Sequence, residues 1–159
     1  MKKILFVCTG NTCRSPMAEY IMNSLVSQDG LSEEYVAQSA GVSTVDGLGA
    51  SAGSIYACDI HGIDISSHKS SCIDGGMIED AELILAMGSS HKSLIQRYFP
   101  EESKGKLYTL GEFASLCDSD VYATDISDPY MMDNSVYMKV YEQIEKYINV
   151  IIKYLKGRH

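Results

Sequence analysis

The stretch FVCTGNTCRSP, residues Phe6–Pro16, ends an apolar run and starts an amphipathic one within a few residues. Upstream, Lys3–Val7 reads as a buried strand. Downstream, Ser15 suits a helix N-cap and Pro16 the first helical position. Met17, Ile21 and Leu25 then recur on one helical face, and Gly30 ends the segment. A strand running straight into a helix is the first half of an alternating α/β unit. The corner between them carries Cys8 and Arg14 in the spacing C-x5-R. Gly10 and Asn11 are the residues there best able to take positive φ, which lets successive backbone N–H groups converge into an anion nest. The helix start adds its positive end to the same spot.

The rest of the chain repeats the alternation. Tyr35–Ala40, Glu82–Met87 and Lys106–Leu110 read as further strands. Helices are expected through Ile55–Ile60, stopped at Gly62, over Ser89–Phe99, ended by Pro100, and briefly over Glu112–Leu116. Ser66–Asp80 is ambiguous, because Gly75-Gly76 weakens a helix. The clearest helix is Ser135–Lys156, with an apolar stripe of Val136, Val140, Ile144, Tyr147, Ile148, Ile151 and Leu155 and a stop at Gly157. A parallel sheet covered on both faces follows, with ligands expected at the carboxyl ends of its strands. No repeat, linker or low-complexity segment divides the chain, so residues 1–159 are expected to form one domain.

Composition narrows the partners. Net charge is −8, and the only arginines are Arg14, Arg97 and Arg158, a balance that repels nucleic acid and anionic membranes. Apolar runs are too short to span a bilayer, and MKKILFVC is too short and too soon interrupted to be a signal peptide. The five cysteines, Cys8, Cys13, Cys58, Cys72 and Cys117, show no paired CxxC spacing. They point to a reducing cytoplasmic setting, with no disulfide framework and no zinc site. Cys58, Cys72 and Cys117 belong to no motif and are expected to be packing residues.

The corner has chemistry of its own. A thiol at a helix N-terminus beside a cation ionises at ~3.5–7.5 instead of about 8.5, so Cys8 is expected to be a thiolate nucleophile aimed at phosphorus. The amides of Thr9, Gly10, Asn11, Thr12 and Cys13 would seat the phosphoryl oxygens, and the Arg14 fork matches two of them. Ser15 is placed to hydrogen-bond the sulfur. No metal or cofactor is called for, because fixed N–H groups and one guanidinium supply the electrostatics. A leaving group still needs a proton. Asp128 in DISDPY is the best candidate, with Pro129 stiffening the loop and Tyr130 as an apolar wall. Asp118, Asp120 and Asp125 are rival acids in the same region.

CTGNTCRSP together with SDPY resembles the low-molecular-weight protein phosphatases. Softer matches span the chain: SAG at Ser39–Gly41, AMGSSHK at Ala86–Lys92 and YTLGEF at Tyr108–Phe113. The resemblance implies a flavodoxin-like, doubly wound three-layer sandwich, with a four-stranded parallel sheet and helices on both faces. It implies Cys8 as nucleophile, Arg14 as phosphate clamp and Asp128 as general acid, acting on phosphorylated protein substrates through a cysteinyl-phosphate. Asn11 and Ser15 match residues that hold the loop, with Ser39 as further support. His68 is the counterpart of a supporting histidine, or else an ordinary surface histidine. Cys13 matches a cysteine that pairs reversibly with the nucleophile under oxidation.

Substrate choice rests on a few positions. Many tyrosine-directed members carry isoleucine where this chain has Thr12, and a Gram-positive branch acting on phosphoarginine carries threonine. Val45 stands roughly where some tyrosine-directed members have a large aromatic. Tyr130 can flank either a phenyl ring or a guanidinium plane. Met131-Met132 departs from both branches, which usually have small residues there. Phosphoarginine is therefore favoured, with phosphotyrosine as the alternative.

Rival classes keep part of the signal. A thiol-dependent arsenate reductase uses a similar loop but needs relay cysteines, and Cys58 and Cys72 are not a close pair. A phosphate-binding module would keep the cradle without needing Cys8 or Asp128. GLGASA, Gly47–Ala52, matches a dinucleotide fingerprint but does not follow the first strand, so it is expected to be a mobile loop at the pocket rim. The sequence does not set an oligomeric state.

Overall fold

A computed structural model describes residues 1–158. Its first strand, β1 (Lys2–Cys8), alternates its side chains between two cores. Ile4, Phe6 and Cys8 enter the larger core, and Leu5 and Val7 the smaller one. A strand buried on both faces reads as a continuous apolar run, which is why KILFVC is legible as a central strand. The other strands are β2 (Tyr35–Gly41), β3 (Leu83–Ala86) and β4 (Leu107–Thr109). All pairings are parallel, and the order is β2-β1-β3-β4. The chain moves from β1 to one neighbour and then crosses to the other side, so the order reverses beside β1. The crevice at the carboxyl end of β1 is the ligand position of such a sheet.

Helices cover both faces. The larger core packs β1 against α1 (Arg14–Gln28), α2 (Ala52–Ile60), α5 (Leu110–Cys117) and α6 (Asn134–Lys156). The smaller core uses α3 (Gly75–Asp80) and α4 (Ser89–Tyr98), through Ile78 and Ile95. Helix α3 resolves the ambiguous Ser66–Asp80 segment. Its two glycines occupy the first turn, where Asp74 caps the helix by accepting from the Met77 amide at 2.8 Å. In α6, the stripe is wider than the periodicity predicts. Tyr137, Tyr141 and Ile152 are buried as well, and Val136 is only half-buried.

Helix α6 also places the irregular segment that follows α5. The Tyr147 hydroxyl donates to the Tyr122 carbonyl at 2.8 Å and accepts from the Thr124 amide at 3.0 Å. Gln143 Nε2 donates to the Asp125 carbonyl at 3.1 Å. The Ile126 amide then donates to the Met87 carbonyl at 2.8 Å, which brings the segment to the end of β3. Among the described residues, no helix is long and apolar enough to cross a membrane.

Candidate active site

The corner after β1 folds as a loop that closes on its own sulfur. Asn11 takes φ 55 and is fully buried. Its Nδ2 donates to Ser15 Oγ at 2.8 Å and to Ser39 Oγ at 2.9 Å. Its Oδ1 accepts from the Ser71 amide at 2.9 Å. One side chain therefore ties the loop to α1, to β2 and to the segment before α3. Ser15 Oγ lies 2.8 Å from Cys8 Sγ. Because Ser15 already accepts from Asn11, its own proton is free to point at the sulfur.

Two expectations change here. Gly10 does not take positive φ; Asn11 alone supplies the left-handed turn of the loop. Ser15 is not the cap of α1. Cys13 occupies the N-cap position without a side-chain bond, and Ser15 and Pro16 lie inside the first turn. The cap was surrendered because Ser15 Oγ is committed to Cys8 and Asn11.

His68 is buried, and its Nε2 donates to the Asn11 carbonyl at 2.8 Å, so it supports the loop from behind. The Ser39 hydroxyl donates a hydrogen bond to Glu19 Oε1. Burial holds the Glu19 carboxyl above its ordinary range, against the Ser39 bond and the nearby His68, which pull it down. Gly41 makes a further contribution. A Cβ there would stand 2.6 Å from the Thr9 carbonyl and 3.1 Å from the Asn11 amide, so only glycine lets β2 run this close under the loop.

Cys8, Thr9, Gly10, Thr12, Cys13, Arg14, Val45, Asp128 and Tyr130 line one cleft of about 620 Å³, together with Ser43, Thr44 and Leu48. Asn11, Ser15, Ser39 and His68 stand buried behind it. The amides of Thr9, Gly10, Asn11, Thr12 and Cys13 have no protein acceptor among the described residues. Arg14 is held by one arm: Nη1 donates to the Ile126 carbonyl at 3.1 Å. Its Nη2 lies 3.7 Å from Asp128 Oδ2. Arg14 Nε is buried and unpaired, the one such side-chain nitrogen or oxygen among the described residues. Unpaired buried donors are costly, and at a cleft they mark where a ligand acceptor belongs.

The rival acids sort themselves by position. Asp125 accepts from the Ser89 amide at 3.0 Å and the Ser89 hydroxyl at 2.7 Å, bonds that hold its carboxyl below the usual range. Asp118 accepts from the Asp120 amide, and neither of these two lines the cleft. Asp128 does line it, oriented by the Tyr130 amide at 3.1 Å. Beyond it, Met131 takes φ 62 in a turn closed by Met132 N to Pro129 O at 2.9 Å. That is the position where a turn of this kind favours glycine.

Other cysteines lie elsewhere. Cys58 is fully buried, and burial pushes its thiol up to about 12. Cys72 is exposed, against the expectation of a packing role, because it sits just past the sheet edge in a bridge to Gly41. Neither lines the cleft. Cys13 Sγ meets Tyr137 Oη at 3.3 Å and Ser51 Oγ at 3.4 Å. The GLGASA loop reaches the rim of the cleft through Leu48; Gly47 N donates to the Ser70 carbonyl at 2.9 Å and Leu48 N to the Ser70 hydroxyl at 2.8 Å. Its final residues open α2, where Ser51 caps. His91, unassigned from the sequence, joins the site through Thr9 Oγ1 at 2.9 Å.

A family model described as low molecular weight phosphotyrosine protein phosphatase matches residues 3–158. The chain belongs to that family. It is 38% identical over 154 residues to a protein-arginine-phosphatase of Geobacillus stearothermophilus, covering 97% of this chain and 96% of the relative. It is 31% identical over 157 residues to a probable low molecular weight protein-tyrosine-phosphatase, EpsP, of Ralstonia nicotianae, covering 99% and 98%. Among solved structures, the low molecular weight protein tyrosine phosphatase from T. tengcongensis superposes with TM-score 0.87 at 37% identity, covering 96% of this chain and 99% of that one. The YwlE arginine phosphatase from Geobacillus stearothermophilus gives TM-score 0.87 at 34% identity, covering 99% and 95%. This low-molecular-weight phosphatase is thus a phosphoprotein phosphatase of a metal-independent family, and the flavodoxin-like sheet expected from the sequence is the fold it has.

Proposed function

We propose that this phosphatase hydrolyses phosphoarginine in proteins through a cysteinyl-phosphate on Cys8. The phosphoryl group sits over the Thr9–Cys13 amides, with Arg14 Nε and Nη2 on two of its oxygens. Binding draws Nη2 away from Asp128, which frees the carboxyl to face the leaving atom. Cys8 Sγ attacks phosphorus, and the P–N bond breaks as Asp128 gives its proton to the departing guanidine nitrogen. Asp128, now a carboxylate, takes a proton from water. The resulting hydroxide attacks phosphorus, the P–S bond breaks, and inorganic phosphate leaves with the sulfur restored as thiolate. The Ser15 hydroxyl donates to that sulfur whenever it carries charge.

The observation that carries the substrate choice is Thr12. Its side chain lines the cleft, and its hydroxyl makes only a long 3.7 Å approach to Cys13 Sγ among the described residues. That hydroxyl is therefore available to a polar leaving group, and an isoleucine in its place would offer none. Val45, 64% exposed, leaves the facing wall open. The likeness to an arginine phosphatase supports the same reading. Phosphotyrosine is the second reading, favoured by Tyr130 at the lip and by the tyrosine-phosphatase relatives.

The test compares kcat/KM on matched phosphoarginine and phosphotyrosine peptides, for wild type and Thr12→Ile. A preference for phosphoarginine that moves at least about tenfold towards phosphotyrosine in the variant supports the assignment; that ratio corresponds to ~1.4 kcal/mol. A wild-type preference for phosphotyrosine, or a ratio unmoved by the substitution, refutes it.

A further inference from the structure

Behind the cleft, against the loop at Thr9, stands a buried histidine that the mechanism above leaves without work. His91 lies in the first turn of α4, 4% exposed, and both its ring nitrogens are engaged. The Gly88 amide points at Nδ1 from 3.1 Å. A backbone N–H can only donate, so Nδ1 carries the lone pair. The neutral ring then bears its proton on Nε2, which faces Thr9 Oγ1 at 2.9 Å. The direction of that bond is therefore settled: His91 donates and Thr9 accepts. The ring is kept neutral by burial first and by the Arg14 guanidinium second, which together push its pKa down to about 4. Asp125 and Asp128 face it too and oppose this without winning. The helix N-terminus on which it sits also disfavours a cation.

The consequence falls on Thr9. Its oxygen is occupied by the histidine proton, and its own hydroxyl proton has no protein acceptor among the described residues. Thr9 directly follows Cys8 and lines the cleft. We propose that His91 is a positioning residue of the phosphatase reaction: it donates to Thr9 Oγ1 and so commits the Thr9 hydroxyl to donating into the cleft, onto a phosphoryl oxygen. This rests on the reading of the cleft as the phosphoryl site. Thr9 thereby adds a side-chain donor to the amide ring, and a histidine far along the chain decides which way that donor points. Were the histidine protonated, Nδ1 would turn a proton against the Gly88 amide and the arrangement would break.

The experiment is a double-mutant cycle on kcat/KM for p-nitrophenyl phosphate at pH 7, using Thr9→Val, His91→Leu and the pair, with His91→Gln as the conservative variant. Thr9→Val removes one hydrogen bond to a charged group and should lower kcat/KM about tenfold. His91→Leu should cost about the same. The double variant should be no worse than the poorer single within about twofold, because both remove one donor. Glutamine can accept from Gly88 with Oε1 and donate to Thr9 with Nε2, so His91→Gln should stay within about threefold of wild type. Losses that multiply in the double variant, a Thr9→Val enzyme of full activity, or a His91→Gln enzyme as poor as His91→Leu would overturn the proposal. If His91→Leu does not fold, the Thr9→Val and His91→Gln results decide alone. Phosphoryl labelling of Cys8 in the wild-type enzyme checks the cleft itself: its absence refutes that reading, whereas labelling with uncoupled variants refutes only the role of His91.

Discussion

Replacing Asn11 is the sharpest structural perturbation of the loop. The side chain makes three hydrogen bonds, to Ser15 Oγ, Ser39 Oγ and the Ser71 amide, and the residue stands at φ 55. Asn11→Gly keeps the conformation and removes the bonds. Ser15 and Ser39 retain other partners in Cys8 and Glu19, so only the Ser71 amide is stranded. Two ordinary bonds at ~1 kcal/mol each, plus a stranded donor at ~1–3, give a loss of about 3–5 kcal/mol. Asn11→Ala loses the same bonds and adds the left-handed penalty of ~1–2 kcal/mol, partly offset by the ~0.5–1 that glycine costs in the unfolded chain. Alanine should therefore be about 0–1.5 kcal/mol less stable than glycine. Urea unfolding followed by circular dichroism measures all three proteins. The reasoning is refuted if Asn11→Gly unfolds within 0.5 kcal/mol of wild type, roughly the error of such comparisons, or if alanine is the more stable variant.

Other outcomes follow from the same site. Asp128→Ala should slow aryl phosphates in proportion to leaving-group basicity, by ~10²–10⁴ for poor leaving groups and far less for good ones. Equal slowing across a series of phenols would remove its acid role. His91 takes up its proton near pH 4 in the folded chain and near 6.5 when unfolded, so the unfolded chain binds more protons between those values. Its contribution is present above pH 6.5 and is lost as pH falls towards 4, a change of about 3 kcal/mol. Subtracting the curve for His91→Gln isolates it from Glu19, whose raised pKa acts in the opposite sense. A difference curve without that slope contradicts the assignment.

The parts of this protein that could be read from sequence are those whose chemistry is contiguous. Cys8, Asn11, Ser15 and Arg14 lie on one strand-turn-helix, so their roles can be inferred from spacing before any fold is known. The strands were visible because β1 and β3 are buried apolar runs, and α6 because its stripe has a helical period. Asp128 could be proposed but not separated from Asp125 by sequence. In the fold Asp125 pairs with Ser89 while Asp128 lines the cleft, a difference in setting that depends on where β3 and α4 bring the chain. His91 reaches Thr9 across 82 positions and His68 reaches Asn11 across 57, distances over which no local pattern carries information. Ser15 and Gly10 show the converse error. Local preference made Ser15 a cap and Gly10 a left-handed residue, but a sulfur contact and a buried asparagine overrode both.

The most direct test of the account is to react the enzyme with p-nitrophenyl phosphate, quench it in acid within milliseconds, and map covalent phosphate by mass spectrometry. The account predicts up to one phosphoryl group per chain, attached at Cys8, persisting longer in Asp128→Ala because water is no longer activated. Turnover without any phosphoryl group on Cys8, or a phosphoryl group on another residue, would contradict it.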